Sequence, residues 1–186
     1  MSVIDKVVAA ITPPETDEMR MRARETAREC ASRAEWLALI LEHHLGLEAA
    51  FDRVKSATDA ASRSAALREL GVLFTGHAIA EEAVIYPAMT EAGETGKSGM
   101  GYQEQATVKV QMAALEALEP MSQDFDDKLE HIRGAVLHHL YQEEGTWFPK
   151  VVEEATPAEQ ERIYQRYTEE YDRYMGGGEG RGAMSF

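Results

Sequence analysis

The apolar residues of this chain recur at alternating steps of three and four along four long segments. This rhythm places them on one face of an α-helix and leaves the charged residues on the other. The pattern is typical of an all-α protein, an up-down four-helix bundle with extra N- and C-terminal helices. It predicts long helices at about 33–57, 60–90, 102–118 and 124–152, flanked by shorter helices near 16–31 and 157–174.

Capping and turn residues indicate where these helices begin and end. The segment "SRAE" at 32–35 is typical of a capping box, and "TPAE" at 156–159 adds a proline at the first helical position. We expect loops at 90–101 and 119–124. The chain then divides into an N-terminal segment with its flanking helix (1–31), the bundle (32–153), a covering helix (154–175) and a disordered glycine-rich tail (176–186).

Polar side chains interrupt each of the four apolar faces where leucine or isoleucine would be expected. His77 and Glu81 are four residues apart, so they project from consecutive turns within about 40° of one direction. Carboxylates that face each other in an apolar core need a compensating charge. No lysine or arginine lies on these faces at that level, and a metal cation supplies the charge best. The predicted metal-site residues are His44, His77, Glu81, Gln105, His139 and Glu143.

The immediate neighbours of these residues point in other directions. His43 and His138 are rotated by about 100° from the interior faces, so we expect them at the flank of the bundle. Glu82 and Glu144 either accept hydrogen bonds from the ligand histidines or face solvent. Glu48 is expected at the surface.

The composition of the chain excludes several classes of function. With 19 Lys+Arg against 33 Asp+Glu, the net charge is −14, which disfavours binding to nucleic acid or to an anionic membrane. The single cysteine, Cys30, excludes an internal disulfide framework and a cysteine-rich zinc or iron-sulfur site. The apolar stretch after Lys6 is too short for a signal peptide or a membrane span. We therefore expect a cytoplasmic protein.

Three segments of the chain resemble a known family of metal-binding proteins. The segments "LEHHLGLEAAF", "GHAIAEEAVIYPAM" and "LHHLYQEEGTWFPKV" are similar to helices of the hemerythrin-like (HHE cation-binding) domains, over roughly residues 35–152. The doubled His-x-x-x-Glu-Glu motif followed by aromatic-Pro carries most of this resemblance. It implies a four-helix bundle around a non-heme di-iron centre, oxo- or hydroxo-bridged, with carboxylates that bridge the irons and histidines that cap them.

The resemblance also implies a ligand set. Carried over residue by residue, it assigns His44, His77 and Glu81 to one iron. It assigns His139 and Glu143 to the other, with both glutamates bridging. Imidazole and carboxylate groups also suit zinc and manganese, so the native metal stays open between these and iron.

The third helix departs from the family pattern. Gln105 stands where a ligand histidine is usual, and no histidine lies between His77 and His131. Glutamine is a poorer ligand, although its carbonyl oxygen can bind a metal weakly and its amide can hydrogen-bond a metal-bound group. The second metal position is then under-coordinated, or is completed by Tyr102 or Glu104. An open position favours chemistry over storage.

The expected function follows from the resemblance. The first reading is a protein that binds or senses O2, NO or peroxide in oxidative or nitrosative stress or in iron handling. The second is a di-iron oxidoreductase that turns over peroxide or NO, although no dedicated acid-base residue is visible. The third is a mononuclear metal-binding or scaffold bundle.

A tyrosine stripe on the last helix is expected to cover the bundle or to join two copies in a homodimer: Tyr164, Tyr167, Tyr171 and Tyr174.

Overall fold

The computed structural model describes residues 15–176, within which all regular secondary structure is helical. The predicted all-α class is therefore confirmed. Residues 1–14 and 177–186 lie outside the described range. The disorder expected for the glycine-rich tail therefore stays a prediction. The elements are α1 (Asp17–Ala31), α2 (Glu35–Ser56), α3 (Ala60–Ala80), π1 (Glu81–Ile85), α4 (Tyr86–Glu91), α5 (Thr95–Glu116), α6 (Gln123–Gln142), π2 (Glu143–Trp147), α7 (Phe148–Glu154) and α8 (Pro157–Gly176).

Four rods form the bundle. The first rod is α2 and the third is α5. The second consists of α3, π1 and α4 in line, and the fourth of α6, π2 and α7 in line. Successive rods pack against each other, and short connections join them, as in an up-down bundle. Helix α1 lies against α2, π2 and α7, whereas α8 lies against α2, α3 and π1. The two flanking helices therefore cover the bundle next to its two π-helical turns. No helix between residues 15 and 176 has the length and hydropathy needed to span a bilayer.

The apolar core consists of two clusters along the length of the bundle. One contains Ile40, Tyr86 and Phe148, and the other contains Leu47 and Phe74. The predicted site residues of α2, α3 and α6 lie along the chain between members of the two clusters. Burial of both clusters holds the rods together and fixes the positions from which the polar side chains project.

Each of the two π turns begins at a glutamate and ends just before an aromatic residue and a proline. The Tyr86 N–H donates to the Glu81 carbonyl oxygen five residues back, and the Phe148 N–H donates to that of Glu143. Proline inside an α-helix lacks an N–H donor and clashes with the preceding turn. The wider π turn relieves this conflict, and such turns are frequent at functional sites. The repeated motif thus produces the same local structure twice.

The predicted loop at 90–101 is largely helical. Helix α5 begins at Thr95, so only 92–94 are irregular, and Gly93 has a positive φ of 86°. The next glycines lie inside α5 and do not mark a loop. A Cβ added to Gly101 would lie 2.7 Å from Cζ of Tyr86, so this glycine allows α5 to pass close to the Tyr86 ring.

The two predicted capping boxes have different outcomes. At "TPAE", the Thr156 N–H donates to Glu159 Oε2 over 2.8 Å, and the Glu159 N–H lies 3.4 Å from Thr156 Oγ1. At "SRAE" the prediction is wrong. Helix α2 is preceded by Ala34, which offers no side-chain cap, and the Ser32 hydroxyl donates to the Glu29 carbonyl of α1. Ser32 ends α1 and does not begin α2.

Candidate metal centre

The six predicted site residues are all buried, each with at most 3% of its surface exposed. They come from all four rods of the bundle. The sequence-based expectation of interior polar groups is therefore met, whereas their role as ligands stays a prediction. The residues are His44 on α2, His77 on α3, Glu81 on π1, Gln105 on α5, His139 on α6 and Glu143 on π2.

Four of these residues form a compact inner group. One ligand atom each from His44, His77, Glu81 and Glu143 lies within 4.8 Å of the others. His77 Nε2 is 3.2 Å from Glu81 Oε2, and His44 Nε2 is 3.5 Å from Glu143 Oε2. His44 Nε2 is also 3.9 Å from Glu81 Oε1. Two imidazoles and two carboxylates that converge in this way are able to hold a cation.

His139 and Tyr86 extend the site on the other side of Glu143. His139 Nε2 lies 3.1 Å from Glu143 Oε1 and 3.1 Å from the Tyr86 hydroxyl oxygen. The Tyr86 hydroxyl donates to Glu143 Oε1 over 3.2 Å, and its oxygen is 3.4 Å from Glu81 Oε2. Glu143 therefore directs one oxygen toward His44 and the other toward His139 and Tyr86. This arrangement suits a bridging carboxylate.

Sequence reasoning did not identify Tyr86 as a site residue. The available signal was the internal repeat, which aligns Tyr86 with Phe148 at the same distance from a glutamate. Phe148 packs edge-on against Trp36 and lies 6.3 Å from the His44 ring, measured between ring centroids. Of these two aligned aromatic residues, only Tyr86 brings a hydroxyl into the interior. The two halves of the site are thus similar in backbone and different in chemistry.

Gln105 occupies the inner level of α5 and contacts a carboxylate. Its Nε2 donates to Glu81 Oε2 over 2.6 Å. Tyr102 is 39% exposed and its hydroxyl donates to the Glu82 carbonyl, while Glu104 Oε2 lies 2.7 Å from His139 Nδ1. The structure therefore places neither Tyr102 nor Glu104 in the inner group.

Each of the three site histidines has a different partner at its outward nitrogen. His44 Nδ1 lies 2.8 Å from Glu144 Oε1, and His77 Nδ1 lies 3.3 Å from the Tyr167 hydroxyl. His139 has Glu104 in the same position. A partner at Nδ1 fixes the tautomer of a histidine whose Nε2 binds a metal. All three rings are therefore oriented with Nε2 toward the interior.

The two glutamates that follow the inner carboxylates behave differently. Glu144 is 1% exposed and binds His44, so it takes the first of its two predicted alternatives. Glu82 lies at the flank of the bundle, where it accepts a hydrogen bond from Lys109 Nζ over 2.6 Å. The packing of α1 accounts for the difference, since Arg24 reaches Glu144 over 2.8 Å.

The second histidine of each His-His pair was correctly placed inside. His43 lies at the flank, with Nδ1 2.9 Å from the Tyr167 hydroxyl and its ring stacked on Tyr171. His138 is half-exposed and lies 2.8 Å from Glu15 Oε2. The tyrosine stripe therefore covers its own bundle through Tyr167 and Tyr171, and its role in a homodimer stays a prediction.

Protons balance the charges of the site when no cation is bound. Burial opposes the charged ring of His44, but Glu144 and Glu81 raise the pKa of His44 to about 9. Burial likewise opposes the charged form of His139, but Glu143 and Glu104 raise the pKa of His139 to about 10. A cation bound to the Nε2 atoms would displace these protons.

The two inner carboxylates divide their charge unevenly. Burial and then the repulsion of Glu81 raise the pKa of Glu143. Burial would also raise the pKa of Glu81, but His77 and His44 lower it. Burial and the charges of Glu143 and Glu81 raise the pKa of the Tyr86 hydroxyl. Glu81 is therefore the more acidic of the two inner carboxyls, and the raised pKa of Tyr86 favours its hydroxyl as a hydrogen-bond donor.

Five buried side-chain atoms of the predicted site residues have no hydrogen-bond partner among residues 15–176. A buried polar atom without a partner costs about 1–3 kcal/mol, and no lysine or arginine of the described chain contacts either inner carboxylate. The donor set therefore fits a cation, which would satisfy these atoms together. They are His44 Nε2, His77 Nε2, Glu81 Oε1, Gln105 Oε1 and Glu143 Oε2.

Comparison with known proteins agrees with this geometry. The family described as hemerythrin HHE cation binding domain matches residues 37–151. This range contains all six predicted site residues and leaves out α1 and α8. A DNA nickase from Nostoc sp. strain PCC 7120 is 32% identical over 77 residues, which are 41% of this chain and 22% of the nickase. The chain thus spans less than a quarter of that relative. No solved structure gives a significant match.

Proposed function

This chain belongs to the hemerythrin HHE cation-binding family, and from that premise we propose that its bundle holds a non-heme di-iron centre that binds or senses O2, NO or a peroxide. One observation carries the proposal: His44, His77, Glu81 and Glu143 converge in the interior, and each has a buried ligand-type atom without a hydrogen-bond partner among the described residues. Bound iron supplies reversible one-electron chemistry and open coordination positions for a small ligand.

The arrangement of the carboxylates supports two metal positions. His44, His77 and Glu81 would serve one position, and His139, with the hydroxyl of Tyr86 nearby, would serve the other. Glu143 lies between them, with its two oxygens directed to different partners. Gln105 holds Glu81 through its Nε2, and its Oε1 is free to approach a cation.

The burial of the site supports a small ligand. Each site residue is at most 3% exposed, and the larger surface grooves are lined by other residues. A diatomic molecule or a peroxide would need less rearrangement to reach such an interior than a larger substrate would. The partner class that we propose is therefore a small oxidant or diatomic ligand.

A second candidate function is an oxidoreductase that turns over peroxide or NO at the same centre. The Tyr86 hydroxyl favours it, because this group supplies a proton donor within 3.2 Å of Glu143 Oε1. A third candidate is a mononuclear site for iron, zinc or manganese. The compact group of His44, His77, Glu81 and Glu143 favours this reading, since it does not require His139.

DNA nicking is not part of the proposal. The name DNA nickase belongs to a protein of which this chain matches 22%. The net charge of −14 also disfavours a DNA-binding surface.

Metal analysis of the full chain from iron-supplemented culture tests the proposal. We expect two iron ions per chain and an optical spectrum that changes when O2, NO or hydrogen peroxide is added. One metal ion per chain would support the mononuclear site instead. No bound metal after anaerobic purification and titration with Fe2+ would contradict both. Turnover assays with hydrogen peroxide and NO then separate the oxidoreductase from the binding or sensing protein.

A further inference from the structure

Arg24 connects a helix outside the family-matched residues to the centre of the bundle. It lies on α1, and its side chain is 18% exposed. Its Nη2 and Nε lie 2.8 and 3.1 Å from the two carboxylate oxygens of Glu144. Its Nη2 and Nη1 lie 2.6 and 3.2 Å from the oxygens of Glu48. One guanidinium therefore joins two carboxylates with charge-assisted hydrogen bonds, in a geometry that lysine does not reproduce.

Glu144 also contacts His44, a predicted metal ligand. Its Oε1, which accepts from Arg24, also lies 2.8 Å from His44 Nδ1. The contacts from His44 through Glu144 to Arg24 thus connect the interior to α1, and Glu48 connects Arg24 back to α2. If His44 binds a cation through Nε2, its Nδ1 carries the hydrogen and donates to Glu144.

The apolar surface that α1 presents to the bundle consists of small side chains. Ala23 and Ala27 are the only residues of α1 that are fully buried. The helix approaches π2 closely: a Cβ added to Gly145 would lie 3.2 Å from the Ala23 Cβ. Cys30 and Ala31 are partly buried against the same core cluster, and such small side chains bury less apolar area than leucine or isoleucine would. The hydrogen bonds of Arg24 to Glu144 and Glu48 therefore add to a small apolar contact.

We propose that Arg24 is a positioning residue for the metal centre: it fixes Glu144, which sets the ring of His44, and it thereby couples the docking of α1 to the binding of metal. The inference rests on the proposed metal-binding function and adds to it a helix that lies outside the matched family domain. Coupling between two binding events is reciprocal. Metal at His44 therefore tightens the docking of α1, and a displaced α1 weakens metal binding. A sensor needs such an element to report the state of its centre.

A simpler role for Arg24 would be to neutralise two acidic side chains without any effect on His44. The two roles differ in what a substitution changes. A neutralising arginine affects stability whether or not metal is present. A positioning arginine changes metal affinity, the ligand environment of the metal and the metal dependence of α1.

The test uses the full chain and compares Arg24→Met and Arg24→Lys with Arg22→Met. Arg22 lies on the same helix and pairs with Glu18 at the surface, with 77% of its side chain exposed, so it is a matched control. Affinity for Fe2+ under anaerobic conditions is measured by competition with a chelator. We expect Arg24→Met to weaken it by about 10- to 100-fold, and Arg24→Lys to recover part of the loss. Arg22→Met should stay within about twofold of the parent chain.

Two further measurements report on coupling. The d–d absorption of Co2+ bound in place of iron should change in Arg24→Met, because the ring of His44 loses its fixed orientation. Hydrogen exchange of the α1 amides should slow when metal binds to the parent chain, and Arg24→Met should remove this difference. If Arg24→Met loses its helical signal and is therefore unfolded, the same three measurements are made on Arg24→Lys, which keeps the positive charge.

The outcomes separate this inference from the proposed function. If the parent chain binds metal and Arg24→Met retains its affinity, its Co2+ spectrum and the metal-dependent protection of α1, Arg24 has no positioning role and only this inference fails. If the parent chain binds no metal, the proposed function fails and the inference fails with it. Lost affinity, an altered spectrum and lost protection in Arg24→Met, with Arg22→Met unchanged, support it.

Discussion

Gln105 donates a hydrogen bond from its Nε2 to Oε2 of Glu81 over 2.6 Å. The residue at the α5 position where the family resemblance leads us to expect a histidine therefore holds one of the two inner carboxylates. Its own Oε1 has no partner among the described residues. The glutamine fixes the direction of Glu81, and its carbonyl oxygen would be a weaker ligand for a cation than imidazole.

Replacing Gln105 by histidine should strengthen the position near α5. An imidazole at this level supplies the nitrogen ligand that the family pattern leads us to expect, so we predict tighter retention of the second metal ion. Metal content per chain is measured after dialysis against a weak chelator. Gln105→Leu is the control, since it removes both the bond to Glu81 and the carbonyl oxygen. Identical stoichiometry and optical spectrum in Gln105→His and the parent chain would contradict this prediction.

Replacing Glu81 or Glu143 by glutamine should weaken metal binding far more than Glu82→Gln. The first two carboxylates lie in the inner group, and loss of a direct anionic ligand should cost at least as much as loss of an outer partner, about 10- to 100-fold in affinity. Glu82 pairs with Lys109 at the flank and should have no effect. Glu144→Gln should fall between them, because Glu144 orients His44.

Chelator competition with Fe2+ ranks these four variants. An equal loss at Glu82 and Glu143 would show that the inner carboxylates have no special role. A loss at Glu82 greater than at Glu81 would place the metal at the flank and contradict the predicted site.

The interior site could be predicted from the sequence because it depends on local periodicity. Once the bundle forms, the neighbouring helices enclose a polar residue on an apolar helical face. The spacing of His77 and Glu81 was therefore enough to predict that both are buried. The repeated motif led to the same prediction for His139 and Glu143.

The outer contacts could not be predicted in the same way because they depend on helices distant in the sequence. Nothing local distinguishes Glu144 from Glu82, since each follows an inner glutamate in the same motif. The difference arises because α1 brings Arg24 to Glu144, 120 residues away along the chain. Tyr167 on α8 reaches His77 in the same manner. The glycines at 96, 99 and 101 misled the loop prediction: all three lie inside α5, and only Gly101 packs closely on Tyr86.

Tyr86→Phe tests whether the interior hydroxyl binds the metal. If Tyr86 ligates ferric iron as a phenolate, the oxidised protein should show a visible charge-transfer band that disappears in Tyr86→Phe. Tyr102→Phe is the matched control, because Tyr102 is exposed and bonds only the Glu82 carbonyl. A visible band that persists in Tyr86→Phe, or one that Tyr102→Phe abolishes, would assign the colour to another group.

Removal of the metal should lower the melting temperature of the chain. Glu81 and Glu143 would then face each other with protons as their only compensation, and a ligand that binds only the folded state stabilises it by mass action. Thermal unfolding followed by circular dichroism, before and after chelation, measures the difference. Chelation of the Glu143→Gln variant serves as the control and should change its melting temperature less. Unchanged unfolding of the parent chain after verified metal removal would mean that the carboxylates do not need a cation.

The metal-free protein should lose stability as the pH rises from about 6.5 toward 9. The pKa of His44 is about 9 and that of His139 about 10 in the folded chain, against 6.5 for an ordinary histidine. A pKa raised by folding means that the folded state holds its proton more tightly than the unfolded state. The stabilisation is therefore complete below pH 6.5 and is lost as the pH rises through the folded values. For these buried groups the loss should be on the order of a few kcal/mol in total.

The metal-loaded protein should not show this loss, because its Nε2 atoms bind the cation in place of protons. The stabilisation by metal should therefore grow with pH over the same window. Denaturant unfolding at pH 6.5 and pH 9, with and without metal, measures both slopes. His139→Gln should flatten the metal-free slope, whereas His131→Gln, at an exposed position of the same helix, should leave it unchanged. A metal-free stability that rises over this window would show that the carboxylates do not hold the two histidines in their charged form.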